Sequence, residues 1–162
     1  SGLVAAGKSL TGLQELSSLF HDRSLHKFYR CLVNGVIKNE KYIKGYLHKD
    51  EKCNKVTVQE TETSGALPIE TRYRPLGDNG TVTLLEVELI TGRTHQIRVH
   101  MASISHPLLG DTVYGNSKNP YKLQGQALHA RTIGFIHPTT GEYIEVSAPI
   151  PEYMTELVRK LS

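Results

Sequence analysis

Thr91-Gly92-Arg93-Thr94-His95-Gln96-Ile97-Arg98-Val99-His100 is the most informative ten-residue run in the chain. Thr91-Gly92 breaks a strand-like segment. Thr94 can serve as the N-cap of a helix whose apolar face is Ile97, Met101 and Ile104, and His106-Pro107 closes it. A strand end, a glycine turn and a helix start thus meet in one place, loaded with cations and amides. Free N–H groups and the positive end of the helix dipole attract anions there. Arg93 and Arg98 add two planar forks matched to phosphate or carboxylate. A basic side chain in the first helical turn opposes the dipole, so Arg98 is expected either to hold an anion or to make a structural salt bridge.

Working outward, Thr81 to Ile90 reads as a strand: Val82 and Leu84 alternate and, after a slip at Leu85, so do Val87 and Leu89. Gly77-Asp78-Asn79-Gly80 before it is a turn. Ile69 to Arg74, Val56-Thr57-Val58 and His26 to Val33 are further strands. Leu10, Leu13, Leu16, Leu19 and Phe20 recur at helical spacing behind a Ser9 cap. Downstream, Leu128 to Ile136 and Glu142 to Val146 form a closing hairpin around Pro138-Thr139-Thr140-Gly141. Pro151 opens a last helix with Tyr153, Met154, Leu157 and Leu161 on one face. Many strands, few helices and no βαβ alternation predict an α+β fold with a mixed, mainly antiparallel sheet, flanking helices and a central cleft. The helix near Thr94 is expected to open into the largest cleft.

With 162 residues, 38% hydrophobic and 22% charged, the chain is sized for one domain, 1–162. No apolar run reaches the length of a membrane span, and Ser1 to Leu10 lacks the pattern of a signal peptide. The two cysteines, Cys31 and Cys53, form no CxxC pair, which suits a reduced, cytoplasmic protein. Net charge is only +3, but it is unevenly spread. Residues 1–60 carry ten Lys/Arg against six Asp/Glu, and residues 91–135 carry five against one. Two basic segments meeting on one face, around Arg93, His95, Gln96 and Arg98, would suit phosphates.

The eight histidines do not read as a metal site. His95 and His100 are about 140° apart round a helix, unlike the i, i+4 pair of a zinc helix. His106 and His137 precede prolines as turn residues do. No G-x-S-x-G elbow supports a hydrolase.

TGRTHQIRVHMASISHPLLGDTVYG, residues 91–115, resembles the signature of the RluA-like family of RNA pseudouridine synthases. LHARTIGFIHPTTGEYIEVSAP resembles the family's closing segment, and HKFYRCLVNG its K-x-Y strand. The resemblance implies an enzyme that isomerises uridine in ribosomal or transfer RNA to pseudouridine, on a target base flipped out of the RNA, with no metal or cofactor. An RNA-binding module without catalysis is the alternative. It further implies that Tyr29 packs on the base and that Arg98 pairs with a nucleophilic aspartate. Lys27, Arg93, Thr94, His95 and Gln96 fall where RNA contacts are expected.

The family's nucleophile stands in a segment reading R-L-D-x-x-T-S-G. Ser1-Gly2-Leu3 fits the end of that segment, so the expected aspartate lies four residues before Ser1. The resemblance therefore implies a piece lacking its N-terminal part and inactive by itself. The full protein is expected to be a monomer, and the piece to self-associate or to retain an upstream peptide. Tyr29 is expected near the Arg98 guanidinium. Arg98, without its carboxylate, is expected to recruit a bound anion, water or a neighbour's acid. Asp111 reads as a turn or cap residue.

Overall fold

The computed structural model describes residues 1–50 and 55–159, the Val158 side chain excepted. Cys53 and Leu161, named above, lie outside the described residues. Helix α1 (Leu10–His21) is followed by strands β1 (His26–Asn34), β2 (Lys41–Asp50), β3 (Lys55–Gln59), β4 (Leu67–Asp78) and β5 (Val82–Leu89). Helix α2 (Gln96–Ser103), strands β6 (Leu128–Ile136) and β7 (Tyr143–Ser147) and helix α3 (Glu152–Arg159) complete the order. The strands form one sheet in the order β3-β2-β4-β5-β1-β6-β7. Every pairing between them is antiparallel. A parallel bridge joins Gly2 to Ala130 on β6. The expected α+β architecture is the observed one.

Both faces of the sheet are covered, but over different stretches. On one face Cys31 and Val33 of β1 and Leu85 and Val87 of β5 pack against Ile97 and Met101 of α2. Leu47, Val56, Ile69 and Val99 extend that core across β2, β3 and β4. On the other face Leu32 and Val82 pack with Leu109, Ala127 and Met154 of α3. This resolves the apparent slip at Leu85. The β5 strand is regular, with Val82 and Leu84 facing the α3 core and Leu85, Val87 and Leu89 facing the α2 core. Between these, Glu86 and Glu88 point outward to Arg30, Arg74 and Arg72. The register shift sits instead in β4, between Pro75 and Gly77.

Strand β2 was not expected from sequence, because Lys41, Lys44, His48, Lys49 and Asp50 mask its alternation. Its inward residues Ile43 and Leu47 are buried, and Gly45 lies between them. A side chain on Gly45 would press on Val58, which leaves glycine to let β2 approach β3 and α2. Ser9 does cap α1: its hydroxyl accepts from the Gly12 N–H at 3.1 Å. The N-cap of α2 is corrected to His95, whose backbone is left-handed (φ 57) and whose side chain does not cap the helix.

Leu85 is fully buried at the centre of the sheet. Leu85→Ala should destabilise the domain by roughly 2–5 kcal/mol, read as a lower urea midpoint with unchanged slope.

Candidate active site

Side chains alternate along β1, so Lys27, Tyr29, Cys31 and Val33 share the face that α2 covers. Tyr29 packs, half-buried, against the core cluster containing Ile97. Burial raises its phenol above the ordinary tyrosine range, so the hydroxyl is protonated at neutral pH. Among the described residues no hydrogen bond is made to that hydroxyl. Lys27 lies at the end of the same row, where its ammonium meets Gly92: a Cβ there would stand 3.2 Å from Nζ.

The segment entering α2 is ordered from beneath by Gln96, which is 1% exposed. Its amide oxygen accepts from the Thr91 hydroxyl at 2.7 Å and the Arg93 N–H at 3.1 Å. Its amide nitrogen donates to the Glu70 carbonyl at 2.9 Å and to Thr71 Oγ1 at 3.1 Å. All four of its hydrogen-bonding positions are filled within the chain, so Gln96 supports the loop rather than facing solvent. Arg93 and Thr94 are exposed above it.

His95 Nδ1 lies 3.0 Å from the Tyr114 hydroxyl, which already accepts from the Val56 N–H at 3.1 Å. In the tautomer with the ring proton on Nε2, the hydroxyl donates to Nδ1. Burial and the nearby Arg98 charge lower the His95 pKa, against a smaller opposing pull from Asp111. The ring is thus neutral at pH 7 and carries a single N–H donor.

Arg98 is held by Asp111 in a two-pronged ion pair, Nε to Oδ2 at 2.7 Å and Nη2 to Oδ1 at 2.9 Å. Its guanidinium also lies 4.9 Å from the Tyr114 ring centre. The side chains are 11% and 1% exposed. Asp111 is the expected turn residue, its Oδ1 accepting from the Val113 and Tyr114 N–H groups, and it is more than that. The expectation that Arg98 would seek an external anion is corrected: the Leu108–Gly115 loop delivers a carboxylate already fixed by two backbone donors. Among the described residues no hydrogen bond or cation–π contact joins Arg98 to Tyr29. The loop closes over the entrance of α2, and a groove of about 410 Å³ lies at the far end of that helix, beside Lys44, Val58, His100 and Ser103; others lie away from it. One of about 420 Å³ runs between α1 and β6, lined by Leu16, Leu19, Ile133 and Phe135.

The two basic segments meet only in part. Arg23 and Lys27 reach the Gly92 end of the sheet, since the Arg23 charge acts on Lys27. Arg30 and Lys44 lie on the opposite face with Glu86 and Glu70. At the chain start, Ala130 N–H donates to the Ser1 carbonyl at 2.9 Å and Leu3 N–H to the Ala130 carbonyl at 3.0 Å. Ala130 pairs with Tyr29 on its other side, so residues 1–3 run one strand away from the Tyr29 backbone.

Comparison with known proteins bears on the family and the fold of the chain. The family profile described as RNA pseudouridylate synthase matches residues 1–103. The chain belongs to the RNA pseudouridylate synthase family. An uncharacterized RNA pseudouridine synthase of Bacillus subtilis is 38% identical over 162 residues, covering 99% of this chain and 52% of that protein. Ribosomal large subunit pseudouridine synthase D of Zymomonas mobilis is 35% identical over 168 residues, covering 99% of this chain and 53% of its own. The chain spans about half the length of these curated relatives. The human RNA pseudouridylate synthase domain containing 4 structure superposes with a TM-score of 0.76 at 20% identity, covering 94% of this chain and 68% of that one. This likeness extends the family's fold to the arrangement seen here. Among the described residues no helix is long and apolar enough to cross a membrane.

Two measurements probe the supports of this site. Asp111→Asn should cost roughly 3–5 kcal/mol in unfolding free energy, because it leaves the part-buried Arg98 without its counter-charge. His100 donates nothing to solvent: Nδ1 faces Thr71 Oγ1 at 2.8 Å, and burial lowers its pKa to about 4. The folded pKa lies below the unfolded one, so the stability is present above pH ~6.5 and lost as pH falls towards 4. The thermal midpoint should drop across that window, and His100→Asn should flatten the drop while lowering the midpoint at pH 7.

Proposed function

We propose that this chain is the base-receiving part of an RNA pseudouridine synthase acting on uridine in ribosomal or transfer RNA, in the cytoplasm. The observation that carries the proposal is the protonated, half-buried Tyr29, its hydroxyl unused among the described residues, on the sheet face beside the α2 entrance. In the reaction the N1–C1′ bond of uridine breaks, the base turns, and a C5–C1′ bond forms. C5 loses a proton and N1 ends protonated, so substrate and product have the same composition. Tyr29 stacks on the uracil ring and offers its O–H for proton movement. The nucleophile is the aspartate that the family pattern sets four residues ahead of Ser1, so turnover belongs to a polypeptide that carries it. Arg98 pairs with that carboxylate when it is present, sharing its fork with Asp111. Lys27, Arg93, Thr94 and His95 contact the RNA, while Gln96 holds their loop in shape. No metal or cofactor takes part. The protein acts as a monomer.

Tyr29→Phe, made in a polypeptide extended through the R-L-D-x-x-T-S-G segment, tests the assignment. RNA binding should stay near the parental value, and pseudouridine formation, read by mass spectrometry, should fall ~10²–10⁴-fold. Parental turnover in the Phe variant would reduce Tyr29 to a stacking surface. An extended chain that binds RNA without turnover would leave a binding module.

A further inference from the structure

Lys27 is only 6% exposed, yet among the described residues no carboxylate lies within ion-pair distance of it and no hydrogen bond reaches its Nζ. Its nitrogen is not among the fully sealed polar atoms, so solvent still reaches it. The groups around it are the Phe20 ring, 5.7 Å away, the Gly92 turn and a second cation, Arg23. Arg23 itself is held only loosely, 3.9 Å from Glu70. Burial and the Arg23 charge both lower the Lys27 pKa, so the chain leaves the ammonium uncompensated.

A buried cation beside a like charge is costly unless an anion completes the arrangement. Gly92 keeps the approach to it open, since any Cβ would crowd the ammonium. The next residues, Arg93 and Thr94, are exposed. An anion entering here meets Lys27 at the floor, Arg23 at the side and the α2 entrance above.

We propose that Lys27, Arg23 and the Gly92–Arg93 turn form a phosphate subsite that takes a phosphodiester of the RNA next to the uridine. This rests on the reading of the chain as RNA-directed. A phosphodiester fits better than a protein carboxylate because the subsite opens through an exposed turn carrying a further arginine. Inorganic phosphate shares the chemistry, and the test separates the two.

The probes are a uridine-containing hairpin RNA and inorganic phosphate, used with residues 1–162. Lys27→Met removes the charge at nearly constant length, and Lys118→Met, at an exposed lysine, makes the same change of net charge. Lys27→Met should weaken RNA binding about tenfold and reduce the slope of log affinity against log salt by about 0.7–0.9, while Lys118→Met changes neither. Without ligand, Lys27→Met should raise the thermal midpoint, because the lone charge is gone. RNA should raise the midpoint of the parent more than that of the variant. An unchanged salt slope in Lys27→Met overturns the subsite, and so does a lowered midpoint, which would mean that the ammonium is already paired in the protein. A response to inorganic phosphate with no effect on the RNA slope overturns the RNA assignment. If Arg93→Ala weakens RNA binding and Lys27→Met does not, this inference fails together with the Lys27 contact, and the reading of the chain as RNA-directed stands on Arg93. If the parent chain binds no RNA, both fail.

Discussion

Burial of β1 on both faces constrains everything else in this domain. Cys31, Leu32 and Val33 are fully inaccessible, which requires a covered surface above and below one strand. The α2 helix supplies one cover, and α3 with Leu109 and Ala127 supplies the other. Once Cys31 and Val33 are fixed beneath α2, the two-residue period of the strand puts Tyr29 and Lys27 on the same side. They lie past the end of the tightly packed apolar core: Tyr29 is half-buried and Lys27 is buried with a nitrogen that solvent still reaches. The chemistry-bearing end of β1 is thus a consequence of the apolar end.

The same helix is anchored by polar means. Gln96 ties the α2 entrance to Thr91, Arg93, Glu70 and Thr71, and Thr71 passes the network on to His100. Gln96 at its centre is fully satisfied, while at its far end the buried Nε2 of His100 has no hydrogen-bond partner among the described residues. The network also explains how His95 tolerates a left-handed backbone, a conformation that costs an ordinary residue about 1–2 kcal/mol. The bonds on either side, to Gln96 and to Tyr114, hold the residue there. Arg98 and Asp111 then fasten the Leu108–Gly115 loop over the helix, and Tyr114 links that loop to β3 through Val56. Four segments distant in sequence are locked together by hydrogen bonds of a few side chains.

Much of this was legible in the sequence. The Ser9 cap, the Asn79 turn and the strands β1, β3, β4, β5, β6 and β7 follow from local propensity and period, which need only neighbours along the chain. Strand β2 was hidden because its outward residues are charged and its inward row is interrupted by Gly45, whose role depends on Val58 across the strand gap. The apparent slip in β5 had the same origin. Sequence shows that apolar residues change face at Leu85, but not that a second core lies on the other side.

At the site, the sequence by itself determined which residue types gather at the α2 entrance, since a glycine turn, two arginines and a helix start are adjacent in the chain. Through its family signature it also determined the class of protein. Only the tertiary structure decided which of these residues remain free to meet a ligand. Gln96, polar and beside Arg93, is spent inside the domain. Arg98 is engaged by Asp111, thirteen residues on. Lys27, which resembles any strand lysine in sequence, is left buried and uncompensated. The reason is physical: an ionic or hydrogen-bonding group is committed by whatever lies within about 3 Å of it in space, and that neighbour is set by how distant segments pack, not by the residues on either side.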